Sequence, residues 1–188
     1  MDGELCRVFS RGAGSKGIAF LMSSEYKYLM DLLASGDIEK LEEASSIIDD
    51  FPNGKDDFAD RYWIINAIDC GSFESVKWIL EKGVDLDFRD DEGCTPLLSA
   101  IDRALPHKYE ILKALIDHGA PLNKKGWNDW TPLHQAAARE DIEALKILID
   151  AGADLSIRTD IDSYATPYEE AKILKRANSV DFLKNYER

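Results

Sequence analysis

The stretch that decides the fold is Thr131-Pro132-Leu133-His134-Gln135-Ala136-Ala137, because the chain rewrites it at a fixed interval. Cys94-Thr95-Pro96-Leu97-Leu98-Ser99-Ala100 precedes it and Thr166-Pro167 follows, so Thr-Pro recurs after 36 and then 35 residues. One period upstream of Thr95, Tyr62-Trp63-Ile64-Ile65-Asn66-Ala67 occupies the same register, with Trp63 in place of the proline. A period earlier again lies Leu29-Met30-Asp31-Leu32-Leu33. Self-similarity at this spacing is the mark of a repeat architecture.

Each unit carries a second signature, an apolar run of helical spacing that ends in glycine. The copies are Val76 to Gly83, Ile111 to Gly119 and Ala144 to Gly152. Apolar residues at i, i+3 and i+4 define one buried helix face. Glycine just past the last periodic residue can take the left-handed conformation that ends a helix. Proline after threonine suits the first helical turn, where its missing N–H would have no partner anyway, and the threonine is a natural cap. The unit therefore reads as short helix, turn, second helix, glycine stop and extended loop. One such unit cannot bury its own apolar face, so neighbours must stack into a continuous core. The expected fold is all-α, a solenoid of about five helix-turn-helix units.

These residues resemble the ankyrin-repeat family, whose unit of about 33 residues carries a T-P-L-H-x-A signature. Residues 131–137 reproduce that signature in full, and residues 94–100 keep all of it but the histidine. The resemblance covers residue 24 to the C-terminus. It implies β-hairpin fingers between units, with Val84 to Gly93 as one copy and Ala120 to Lys125 opening the next. The unit near Ser24 and the unit from Thr166 depart from the pattern and are expected to act as caps with wettable outer faces. Extra residues around Leu105-Pro106-His107-Lys108 and across Asp160 to Tyr164 are expected in loops.

Residues 1–23 fit none of this. They are Gly-rich and aperiodic, Met22 would serve as a native start, and the segment is expected to be disordered or foreign to the native chain. Gly12-Ala13-Gly14-Ser15-Lys16-Gly17 spells GxGxxG, but a dinucleotide site needs a preceding strand and a helix opening at the glycines. No cofactor is expected. His107 and His118 lie far from each other and from any cysteine, so no metal site is expected either. His134 resembles the family histidine that hydrogen-bonds loop backbone. No nucleophile elbow or triad spacing stands out, and no enzyme is expected.

Thirty-six acidic residues outweigh 23 basic ones for a net charge of −13. That sign disfavours nucleic acid and anionic lipid, and favours basic partners. Cys6, Cys70 and Cys94 are odd in number and without CxxC spacing, which suggests neither a disulfide framework nor a zinc site. A reducing, cytoplasmic location and a monomeric state follow as expectations.

In the resembled family, finger tips and the inner face of the first helices bind partners. Carried over by position, that surface comprises Phe58, Arg61, Asp69, Asp91, Glu92, Asp102, Arg103, Trp127, Asn128, Trp130 and Arg139. Trp127 and Trp130 are either interface anchors or rings packed on neighbouring fingers. The expected function is non-enzymatic binding of another protein with a basic surface. The sharper form is an inhibitor that masks its partner, such as the immunity protein of a toxin. An adaptor joining two proteins is the alternative, and an enzyme accessory subunit stands behind both.

Overall fold

A computed structural model describes residues 24–103, 106–160 and 164–186. The GxGxxG stretch and the rest of the N-terminal segment lie outside the described residues, as do Ala104 and Leu105 of the lengthened link. Ten α-helices follow in order: α1 (Ser24–Ser35), α2 (Ile38–Ile47), α3 (Trp63–Cys70), α4 (Phe73–Glu81), α5 (Pro96–Asp102), α6 (Lys108–Asp117), α7 (Pro132–Ala138), α8 (Ile142–Asp150), α9 (Pro167–Ile173) and α10 (Ala177–Leu183).

The helix boundaries fall where the sequence places its punctuation. Pro96, Pro132 and Pro167 open α5, α7 and α9. The Thr95 hydroxyl accepts from the Leu98 N–H at 3.3 Å. At α9 the cap is reciprocal, with Thr166 Oγ1 accepting from the Glu169 N–H and Glu169 Oε2 from the Thr166 N–H. Gly119 and Gly152 follow α6 and α8 at φ +87° and +93°, a conformation that a Cβ would disfavour.

Odd-numbered helices pack in sequence (α1 on α3, α3 on α5, α5 on α7, α7 on α9), and the even-numbered helices form a second layer behind them. The core runs unbroken between the layers. Leu33, Ile65, Ile68, Leu98, Leu112, Leu115, Leu133 and Leu148 are buried completely, each contributing roughly 1.5–3 kcal/mol by leaving water. Helix α7 is buried along its whole length, since it has a unit on either side.

Polar ties reinforce the stacking. The last carbonyls of an inner helix have no partner within that helix, and the following unit supplies donors. Ser75 Oγ reaches the Leu33 carbonyl at 2.7 Å, and Ser179 Oγ reaches that of Ala137 at 2.8 Å. For α3 the donor is Arg103, whose guanidinium meets the carbonyls of Ala67, Ile68 and Gly71.

The fingers between units are tight loops. Each is closed at its base by a backbone bond: Asp56 N–H to Arg61, Asp90 to Cys94, Gly126 to Trp130 and Thr159 to Ala165, at 2.7 to 3.0 Å. No named strand forms among the described residues, and the one isolated bridge joins Lys55 and Tyr62. Neighbouring fingers approach closely at Gly126, where an added Cβ would lie 2.5 Å from the Gly93 carbonyl and strike Leu98. That approach lets the Trp127 N–H donate to Gly93 O at 2.8 Å.

Cys94 is a buried free thiol, and burial, the dominant cause, pushes its pKa well above the ordinary range. Cys70 is disulfide-bonded. That bond runs against the expectation of three unbridged cysteines in a reducing environment.

Candidate binding face

The first finger is organised by a buried carboxylate. Asp56, 2% exposed, accepts from the N–H groups of Phe58, Ala59 and Arg61 and from Asn66 Nδ2 at 2.9 Å. This turn holds Phe58 outward, where it remains 44% exposed while resting against Tyr26 at a ring separation of 5.1 Å. Arg61 folds back instead. Its Nη2 meets Asp69 Oδ2 at 2.5 Å and its Nη1 donates to Asn66 Oδ1 at 3.3 Å. The other Asp69 oxygen accepts from the Ser99 hydroxyl, so the row crosses into the next unit.

A second row links the third and fourth units. Trp127 Nε1 donates to Gln135 Oε1 at 3.2 Å, Gln135 Nε2 donates to Asp102 Oδ1, and Arg139 Nη2 meets the same carboxylate at 3.0 Å. Gln135 is buried, so the Trp127 ring is held from its polar end while its body packs on the core. Trp130 is half-buried as well, and the backbone between the two rings passes through a 3-10 turn, Trp127–Asp129, with Asn128 at φ +54°. The indoles are therefore partly packed and partly exposed. An open groove of about 470 Å³ adjoins the Asp102–Arg139 pair and is walled by Lys108, Tyr109 and Asp141.

The structure thus gathers Arg61 with Asp69, and Trp127 with Asp102 and Arg139. Phe58, Asp91, Glu92 and Asn128 stay separate and exposed on their fingers. Arg103 is half-buried and occupied with α3. Burial, the largest cause, raises the Asp90 carboxyl at the base of the second finger above its usual range, with the charge of Glu92 adding to it. One aromatic group beside this surface escaped the sequence reading. Tyr164 is 64% exposed, with the Arg158 guanidinium 5.5 Å from its ring. The signal was present, an aromatic inside an inserted finger, but the segment read only as a loop.

His134 lies inside the stack, fully buried. Its Nδ1 faces the Thr131 hydroxyl at 2.8 Å, and Nε2 reaches across to the Ala165 carbonyl at 3.0 Å. Burial pushes its pKa below the ordinary 6.5, only partly opposed by the Ala165 bond. The unfolded chain thus binds the proton more tightly than the folded one. This contribution to stability is complete above pH 6.5 and is lost as pH falls below it. Urea denaturation between about pH 7 and 5 should show a slope that a His134→Gln variant, less stable at every pH, lacks.

Among the described residues, no group of three or more His, Cys, Asp or Glu side chains could hold a metal ion. Nor is any helix long and apolar enough to cross a membrane. Alignment with characterised proteins finds repeats of the same kind. The putative E3 ubiquitin-protein ligase XBAT35 of Arabidopsis thaliana is 30% identical over 119 residues, covering 62% of this chain and 25% of that protein. Ankyrin repeat and KH domain-containing protein mask-1 of Caenorhabditis elegans is 34% identical over 98 residues, 52% of this chain and 4% of its own length. SH3 and multiple ankyrin repeat domains protein 2 of Homo sapiens is 36% identical over 103 residues, 54% and 5%. The chain spans a quarter or less of these relatives. The family model for ankyrin repeats, in three copies, matches residues 54–159, more than half of the chain. This chain belongs to the ankyrin-repeat family, whose stacked units are a protein–protein interaction module.

Proposed function

We propose that the chain is an inhibitor without chemistry of its own, which masks a basic protein through its fingers and inner face, as an immunity protein masks a toxin. The distribution of charge on the finger side supports this reading. Its cations are largely tied to internal acids: Lys55 to Asp60, Arg61 to Asp69, Lys124 to Asp87, Lys125 to Asp129 and Asp160, and Arg139 to Asp102. Asp57, Asp91 and Glu92 remain exposed and carry no ion pair among the described residues. A surface so biased accelerates encounter with a cationic partner, while exposed Phe58 and Tyr164 supply apolar contact that slows release.

Capture from the producing cells at low salt, followed by kinetics on the captured protein, tests the proposal. Asp91→Lys/Glu92→Lys should lower the association rate by roughly tenfold and flatten its salt dependence. Phe58→Ala should act chiefly on dissociation. An affinity equal at low and high salt would sink the masking of a basic partner. Binding of two proteins at once would favour the adaptor instead.

A further inference from the structure

The first unit does not close the stack with a polar face. Between α1 and α2 lies a groove of about 390 Å³, lined by Glu25, Tyr28, Glu43, Ala44, Ile47 and Ile48. No residue of α3 or α4 lines it, so it opens away from the following units. Ile47 is 72% exposed and Tyr28 45%. A single exposed isoleucine needs no explanation, but here apolar side chains adjoin one another around an alanine floor. Within the chain, each unit's comparable side is covered by its neighbour.

The two ends of the stack differ in charge. Residues 24–50 hold eight acidic side chains against two lysines, and Glu25 and Glu43 stand at the groove itself. Residues 166–186 hold four basic side chains against three acidic ones. Of those acids, Glu169 is paired with Arg158 and Glu170 is 7% exposed. Lys172, Lys175, Arg176 and Lys184 are all exposed and form no ion pair among the described residues. The same unit also exposes Ile173, 55%, and Tyr186, 41%. The first unit thus pairs an apolar groove with an excess of acidic residues, and the last unit pairs exposed apolar residues with exposed basic ones.

We propose that the acidic end groove receives the basic last unit of a second copy of this chain, head to tail. The contact would continue between molecules the unit-on-unit stacking that holds each molecule together. It uses different surfaces on the two copies, leaves one of each open, and so extends into short filaments instead of closing as a dimer.

Sedimentation velocity of the full chain over a concentration series tests it. The wild-type protein should show mass rising with concentration and falling with added salt. Ile47→Asp and Ile173→Asp alter exposed positions at opposite ends, and each should weaken self-association by roughly 30-fold. Mixed in equal amounts, the two variants should form a 1:1 dimer that grows no further, because each retains the surface the other has lost. Three results would overturn the proposal. The first is a wild-type chain that stays monomeric at the highest attainable concentration, as when another segment of the chain covers the groove. The second is undiminished association of Ile173→Asp alone, the mark of symmetric pairing between first units. The third is failure of the mixture to restore a dimer.

Discussion

Replacing Asp141 with alanine should cost the fold about 3–5 kcal/mol, the range for breaking a buried ion pair from one side. Asp141 precedes α8, and its carboxylate has three duties. Oδ2 lies 2.5 Å from Lys108 Nζ, with the two side chains only 7% and 13% exposed. Oδ1 accepts from the Tyr109 hydroxyl and caps α8 through the Ala144 N–H, both at 3.0 Å. Removing it strands the ammonium of a side chain that is only 13% exposed and uncaps the helix. Adding Lys108→Met to the alanine variant should recover much of the loss, because the stranded charge disappears while its aliphatic bulk stays. Urea denaturation of the three variants measures this. A single-variant loss below about 1 kcal/mol would mean the pair behaves as a surface one.

Asp56→Ala should destabilise by about 2–4 kcal/mol, since three part-buried backbone donors and the buried Asn66 amide lose their acceptor together. Unlike Asp141, Asp56 is surrounded by backbone N–H groups of its own finger. Its loss should therefore be felt locally. Amide exchange over residues 56–61 should rise by more than the global change explains, and Phe58 should lose its fixed presentation. Equal protection in variant and parent would show that the finger holds its shape without the carboxylate.

The repeats were legible because their punctuation is chemical. Thr-Pro fixes a helix start, and the glycines after α4, α6 and α8 fix three helix ends. Helix α3 could be placed from register alone, although Tyr62-Trp63 replaces Thr-Pro and no side chain caps it. What escaped depends on distance through space. Arg103 reads as a surface cation, but the carbonyls it meets lie 32 to 36 residues back, on backbone that a sequence does not display. Lys108 and Asp141 are likewise ordinary helix-start residues until the stack brings them together. The groove on the N-terminal unit was also not legible, because Tyr28 and Ile47 fit helical periodicity, which reports a face without saying what covers it.

The two long edges of the stack are joined by different forces. Along the fingers, the ties between adjacent units include exposed ion pairs, Lys124 to Asp87 and Lys125 to Asp160. Along the turns between helices, the ties are buried hydroxyls and the guanidinium of Arg103 on backbone carbonyls. Dissolved ions weaken the first kind far more than the second. Added salt should therefore loosen the finger-side ion pairs before the carbonyl ties of the opposite edge.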